Sequence, residues 1–133
     1  MHDLPSGYVM SCAAALLVLL AGCGGHKQAI NVAPSAPGDK VQVDMKATNF
    51  AFDPAVINAR KGQTLVLNVT NVSGETHNIM VKDPSGKVIG DMDIGRQQTV
   101  TLEIPLTTAG VYPFYCDKPF HSTLGMKGRI EVK

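Results

Sequence analysis

The chain has 133 residues, which is enough for one small domain, and its 12 basic and 11 acidic residues give a net charge of +1. Nucleic-acid binding usually requires a clustered basic face, so this near-neutral balance does not suggest it. Only three cysteines occur, at positions 12, 23 and 116.

The N-terminal residues have features of an export signal. The run AAALLVLLAGC at 13–23 is apolar, ends in small residues and is too short to span a bilayer. Its last four residues, LAGC, resemble the bacterial lipobox, which implies cleavage before Cys23 and a lipid on its thiol. We therefore predict a lipoprotein-type signal peptide over residues 1–22. Because MHDLPSGYVM at 1–10 lacks Lys and Arg, a plain cleavable signal and an uncleaved anchor stay open.

Residues 24–40 predict a flexible tether, because they mix Gly, Ala, Pro and polar residues without a helical or alternating period. The lipidated cysteine and the tether together span 23–40, and the folded domain spans 41–133. We therefore expect the protein at the bacterial cell envelope, on a periplasmic or other extracytoplasmic face, anchored to the membrane by its N-terminal lipid. Cys12 then falls in the signal and Cys23 in the anchor, which leaves Cys116 without a disulfide partner.

From Val41 onward the sequence predicts β-strands. Apolar and polar residues alternate at 41–46, 65–70 and 99–104, as expected of half-buried strands. Shorter candidates are Ala55 to Asn58, Asn78 to Val81, Lys87 to Ile89, Val111 to Cys116 and Arg129 to Lys133. Turn signals separate them, and we interpret DMD at 91–93 as a solvated turn rather than a metal site. About eight short strands without an amphipathic helix predict an all-β fold, an antiparallel Greek-key sandwich or barrel.

One loop near the C-terminus has a spacing typical of metal ligands. Cys116, His121 and Met126 form a Cys-x4-His-x4-Met pattern between two predicted strands, so the loop can turn its three side chains toward one point. His77 lies between two other strands, where a sandwich can present it at the same end. Zinc sites favour Cys and His, and a thioether is a poor zinc ligand. Because a His2Cys plane with a weak axial Met is typical of electron-transfer copper sites, the residues favour copper.

Two other interpretations of Cys116 are open at this level. An isolated cysteine is often a small buried core residue. Cys116 and His121 could also act as a nucleophile and its base, but no protease signature surrounds them and such chemistry would not need Met126.

Residues 41–133 resemble the cupredoxins, the small type 1 or blue copper proteins that include plastocyanin, azurin and rusticyanin. The matching stretches are FAFDPAVINARKGQTLVLNVTN at 50–71, HN at 77–78 and GVYPFYCDKPFHSTLGMKGRIEV at 110–132. The resemblance implies one mononuclear type 1 copper whose ligands are His77, Cys116, His121 and, in the axial position, Met126.

The same resemblance implies roles for residues beside the ligands. Asn78 is expected to donate its backbone N–H to the cysteine sulfur, and its side chain is expected to contact the segment near Asp117. In relatives the ligand histidine of this loop reaches the surface. Pro119 and Phe120, which precede that histidine, are therefore expected to form a docking patch for redox partners.

Residues that are absent limit what the domain can do. A binuclear copper centre would need a second nearby cysteine, and a catalytic copper would need further histidines, but both domain histidines are already assigned. We therefore predict a monomeric carrier that shuttles single electrons between redox proteins and has no enzymatic activity. The alternatives are a protein that stores or delivers copper and an accessory domain of a respiratory complex.

Asp117 departs from the family pattern, in which a hydroxyl or an amide often follows the cysteine. An extra carboxylate near copper should favour Cu(II), so we predict that Asp117→Asn raises the reduction potential. Voltammetry of the two copper-loaded proteins measures the shift, and equal potentials would contradict the prediction.

Overall fold

The computed structural model describes residues 29–32 and 38–133. The predicted signal peptide, Cys23 and most of the predicted tether lie outside these residues. The described residues form ten strands and no helix, so they contain no helix that could cross a membrane. In chain order the strands are β1 (Ala29–Asn31), β2 (Lys40–Thr48), β3 (Ala51–Asp53), β4 (Val56–Ala59), β5 (Thr64–Asn71), β6 (His77–Lys82), β7 (Val88–Ile94), β8 (Thr99–Pro105), β9 (Gly110–Tyr115) and β10 (Lys127–Val132).

The strands form two sheets, which confirms the predicted all-β sandwich. One sheet has six strands in the order β1-β4-β10-β9-β6-β7, and the other has four in the order β3-β2-β5-β8. The prediction of purely antiparallel sheets needs correction. The pairs β1 with β4, β4 with β10 and β2 with β5 are parallel, so both sheets are mixed.

The parallel pair in the smaller sheet arises because the chain changes sheets between β2 and β5. After β2 it turns back as β3 in the same sheet, crosses to the other sheet as β4 and returns as β5 beside β2. Alternation along a strand predicts which face is buried. It carries no information about the neighbouring strand or its direction, which is why the sequence could not predict the mixed sheets.

The core lies between the two sheets and contains the side chains that alternation assigns to one face. In β8, for example, Val100, Leu102 and Ile104 are buried while the residues between them are exposed. Phe52 of the smaller sheet meets Phe114 of the larger sheet edge to face, with ring centroids 5.6 Å apart. Such an aromatic pair contributes about 0.5–1.5 kcal/mol beyond its burial, and it helps to join the two sheets.

β1 lies within the predicted tether, so the folded part begins before the predicted boundary. Asn58 Nδ2 donates to Asn31 Oδ1 at 2.8 Å, and the N–H of Val32 donates to the carbonyl of Asn58 at 2.9 Å. A strand of three residues is too short to show alternation, so composition alone indicated a tether. Only residues 24–28 separate Cys23 from β1.

The DMD segment, predicted as a solvated turn, belongs to β7. Asp91 pairs with Met80 and Asp93 with Asn78, so the turn prediction was wrong. β7 is an edge strand of the larger sheet, and both carboxylates are exposed. Charges on an edge strand discourage pairing with another chain. Here they also interrupt the apolar alternation by which a strand is recognised in the sequence.

Three strands bring the predicted ligands to one end of the sandwich. β6 begins at His77, β9 ends one residue before Cys116, and β10 begins one residue after Met126. β9 and β10 pair antiparallel from Tyr115 opposite Lys127, so the loop between them starts and ends at neighbouring positions. The N–H of Cys116 donates to the carbonyl of Met126 at 3.0 Å and extends this ladder into the loop.

Gly128 in β10 allows the close packing beside this loop. A Cβ at this position would collide with the carbonyl oxygen of Ala55 and with the Phe114 ring. We predict that Gly128→Ala lowers the free energy of unfolding by about 3 kcal/mol, because neither the backbone nor a packed ring yields easily. Urea denaturation of the copper-free protein measures the change.

The matched control is Gly74→Ala, because a Cβ at Gly74 meets no atom within 4 Å. We expect it to change the free energy of unfolding by less than about 0.5 kcal/mol. Equal effects of the two substitutions would show that packing at Gly128 is not the cause.

Candidate metal centre

His77, Cys116 and His121 converge at the end of the sandwich where β6, β9 and β10 meet. One candidate ligand atom from each, an imidazole nitrogen or the thiol sulfur, lies within 4.8 Å of the other two. The Nδ1 atoms of His77 and His121 are 3.1 Å apart, and the Cys116 Sγ is 3.4 Å from His121 Nδ1. Two imidazoles and one thiol therefore face a common point, with Nδ1 of both histidines turned toward it.

The pairing of β6 with β9 places the first histidine beside the cysteine. The two strands are antiparallel, with Met80 opposite Tyr115. His77 lies three residues before Met80, and Cys116 lies one residue after Tyr115. Both ligands therefore lie just beyond the same end of this pairing, although they are far apart in sequence.

Asn78 joins the two ligand-bearing segments through its side chain. Its Oδ1 accepts the N–H of Asp117 at 2.8 Å, the contact that the family resemblance implies, and its Nδ2 donates to Asp91 Oδ1 at 3.1 Å. The bond from the Asn78 N–H to the cysteine sulfur stays a prediction. Asn78 is buried, whereas the Asp117 side chain is exposed. Because solvent screens that carboxylate, we expect its effect on the potential to be small.

Backbone hydrogen bonds hold the ligand loop in shape. The N–H of Met126 donates to the carbonyl of His121 at 2.9 Å, and the Met126 carbonyl accepts from Cys116. Met126 is fully buried, and its role as the axial ligand stays a prediction. Gly125 has a φ of 111°, a conformation that residues with a Cβ rarely adopt, which explains a glycine immediately before Met126.

The two histidines differ in environment. His77 is fully buried and His121 is partly exposed. Burial lowers the pKa of His77 below its ordinary value, the neighbouring His121 lowers it further, and Glu75 opposes both with a smaller effect. His77 Nε2, on the side of the ring away from the site, is 2.7 Å from Ser73 Oγ, and Ser73 contacts Asn71. Sequence reasoning missed Ser73 and Asn71, because side-chain hydrogen bonds in a turn leave no trace in a hydrophobic pattern.

Exposed apolar side chains accompany His121 at the surface. The Phe50 ring packs edge to face against its imidazole, with ring centroids 5.3 Å apart. In the ligand loop, Phe120 is 78% exposed and Leu124 is 59% exposed. Pro119 is exposed too, so both residues of the predicted docking patch lie at the surface. Sequence reasoning missed Phe50, because it comes from the turn between β2 and β3, distant from the loop in sequence.

The donor set fits copper. The thiol is a free, buried cysteine, and a thiolate with two imidazoles forms the trigonal plane of type 1 copper sites. Structural zinc sites usually have four Cys or His ligands, and the described residues bring only three together here. Fold and site together define a blue copper protein, a cupredoxin with one type 1 copper.

The chain belongs to the plastocyanin/azurin family of copper-binding proteins, whose family model matches residues 39–133. It is 30% identical over 131 residues to the chloroplastic plastocyanin of Chlamydomonas reinhardtii, a match that covers 93% of this chain and 86% of that protein. It is 30% identical over 92 residues, 63% of this chain, to the chloroplastic plastocyanin major isoform of Arabidopsis thaliana, and that match spans 53% of the Arabidopsis protein. Among solved structures it resembles auracyanin A, a "blue" copper protein from the green thermophilic photosynthetic bacterium Chloroflexus aurantiacus. The TM-score is 0.61 at 23% identity, over 71% of this chain and 99% of that one.

The buried His77 predicts that the stability of the copper-free protein depends on pH. Its pKa is lowered by folding, so the unfolded chain binds more protons between the two pKa values. The stabilisation is complete above the unfolded pKa of about 6.5 and is lost as the pH falls toward the folded pKa. Urea midpoints measured at several pH values should therefore fall less steeply with acid in His77→Gln than in the unchanged protein. Parallel curves for the two proteins would contradict this assignment.

Proposed function

We propose that this blue copper protein carries single electrons between redox partner proteins. The observation that carries the proposal is that the ligand atoms of His77, Cys116 and His121 lie within 4.8 Å of one another and are positioned by the fold. Copper supplies the one-electron couple. A ligand set that the fold holds in place changes little between Cu(I) and Cu(II), and small rearrangement is what fast electron transfer requires.

The burial of the ligands leaves the site one accessible side. His77 and Cys116 are fully buried and exclude water, whereas the partly exposed His121 offers an edge for electron exchange. Around that edge we propose a docking patch that comprises Pro119 and Phe120 and extends to Phe50 and Leu124. An apolar patch lets a partner approach His121 closely, because both surfaces gain by releasing water.

The low net charge of the chain supports docking without strong electrostatic steering. The net charge of the chain is +1, and Lys118, next to the patch, is already paired with Asp93 at 2.7 Å. We therefore expect the rate of electron transfer to depend only modestly on salt.

The proposal includes no enzymatic activity. In the part of the chain that the structure describes, His77, Cys116 and His121 form the one group of three or more His, Cys, Asp or Glu side chains placed to hold a metal. A copper enzyme of the oxidase or nitrite reductase type would need further histidines for a second copper. We propose a carrier that acts as a monomer and passes electrons to other proteins.

We further propose that the carrier acts at the extracytoplasmic face of a bacterial envelope, anchored by a lipid on Cys23. Residues 24–28 are all that separate this cysteine from β1. A fully extended stretch of this length reaches about 20 Å, so the domain would meet its partners close to the membrane surface.

Copper storage or delivery is the second candidate, and the burial of the site argues against it. Delivery requires soft ligands that another protein can reach, whereas Cys116 and Met126 are fully buried. An accessory domain of a respiratory complex would share the same site and would differ in co-purifying with its partner subunits.

Copper loading tests the proposal. Added Cu(II) should produce an intense visible band from thiolate-to-copper charge transfer, and Cys116→Ser should abolish it. The exposed Met92 offers a matched control, because Met92→Leu should leave the band unchanged. The loaded protein should cycle reversibly between its oxidation states and retain Cu(I) against a competing chelator.

Three outcomes would contradict parts of the proposal. A colourless product that prefers zinc would remove the copper site. Rapid loss of Cu(I) to the chelator would favour storage or delivery, and a steep fall in transfer rate with added salt would contradict docking through an apolar patch.

A further inference from the structure

We propose that Ser73 is a positioning residue that fixes which nitrogen of His77 carries the proton. The Ser73 Oγ lies 2.7 Å from His77 Nε2, on the opposite side of the ring from the copper ligands. By accepting the Nε2 proton, this hydroxyl leaves the Nδ1 lone pair directed at the metal position. The inference rests on the copper site and does not depend on electron transfer.

The contact is shielded from water. Ser73 lies in the turn between β5 and β6 and is 8% exposed, and His77 is 0% exposed. A buried imidazole N–H that loses its partner cannot readily bond to solvent, so the loss destabilises that state of the ring. The Ser73 hydroxyl is therefore needed to determine which ring nitrogen of His77 carries the proton.

The orientation of the Asn71 side-chain amide is the first step in locating the Ser73 hydroxyl proton. Asn71 Nδ2 donates to two carbonyls, those of Glu75 at 2.7 Å and Ile94 at 3.1 Å, so Asn71 Oδ1 must be the atom that faces Ser73. That oxygen accepts the N–H of Ser73 at 2.9 Å and lies 2.8 Å from the Ser73 Oγ. The amide is therefore fixed by its own partners, independently of the histidine.

Ser73 Oγ is flanked by two oxygens that can only accept hydrogen bonds. They are Asn71 Oδ1 at 2.8 Å and the Glu75 carbonyl at 3.2 Å. The single hydroxyl proton must be directed at one of them, because otherwise lone pairs would face each other at both contacts. One Ser73 lone pair can accept the N–H of Glu75, at 3.3 Å, and the other faces His77, so His77 Nε2 has to be the donor in that contact.

A neutral histidine has one ring N–H, so a proton on Nε2 leaves Nδ1 free to bind copper. In the 3.1 Å contact between the two Nδ1 atoms, His121 is then the donor and His77 the acceptor. Outer partners of this kind orient metal-bound histidines, and their loss typically costs about 10- to 100-fold in metal affinity.

The test begins with the copper-free protein, at a pH at which both domain histidines are neutral. A long-range proton–nitrogen NMR correlation identifies the protonated ring nitrogen of His77. We expect Nε2–H alone in the unchanged protein, and a mixture of the two tautomers or Nδ1–H in Ser73→Ala. Finding Nδ1–H in the unchanged protein would overturn the proposal even if the variant failed to fold.

Copper titration then gives a second readout. Ser73→Ala should bind Cu(II) about 10- to 100-fold more weakly, and Ser73→Thr, which keeps the hydroxyl, should restore both the tautomer and the affinity. Ser85→Ala is the matched control, since it removes an exposed serine hydroxyl that bonds within another turn, to Asp83 at 2.6 Å. It should change neither readout.

Unchanged tautomer and affinity in Ser73→Ala would overturn the role of Ser73. If Ser73→Ala changed both the tautomer and the affinity but Ser73→Thr restored neither, the hydroxyl would not be the cause and its proposed role would be contradicted. Results that contradict the carrier proposal are distinguishable from these. They would be poor redox cycling or rapid loss of Cu(I) to a chelator, and the His77 tautomer of the copper-free protein would still be as predicted.

Discussion

The pairing of β6 with β9 is the constraint on which the copper site depends. It sets His77, at the start of β6, beside Cys116, one residue past the end of β9, and the hydrogen bond from the Asp117 N–H to Asn78 links the two segments beyond the paired residues. The ladder between β9 and β10 then determines where the ligand loop returns. Slipping the register by one residue would turn the side chains of a strand to the opposite face. Copper binding is thus tied to the register of the larger sheet.

The site combines a closed side with an open one. On the closed side His77, Ser73 and Asn71 form a buried polar network, and throughout the described residues no buried side-chain nitrogen or oxygen lacks a partner. Complete pairing matters because the low dielectric of the interior raises the cost of an unpaired polar group. On the open side His121 packs against Phe50 and reaches the surface. A rigid ligand set can therefore coexist with access for a partner.

Alternation predicted β2, β5 and β8, each of which has one face on the core; the opposite face is exposed in β2 and β8 and is at least partly buried in β5. The sequence analysis missed β1 and β3, which have three residues each, and predicted only the start of β7, whose edge position favours charged side chains. The order and direction of the strands were beyond its reach. They depend on the crossing of the chain between sheets, and that crossing leaves no periodic signal.

The sequence by itself determined the family, the all-β class and the residue types of the metal site, because copper requires particular donor atoms and those atoms follow directly from residue identity. Only the tertiary structure decided that the three donor atoms lie within 4.8 Å, that one histidine is buried and the other partly exposed, and that Ser73 faces the buried one. These features arise from contacts across strands, turns and loops. They depend on how two sheets pack, and local pattern does not encode that packing.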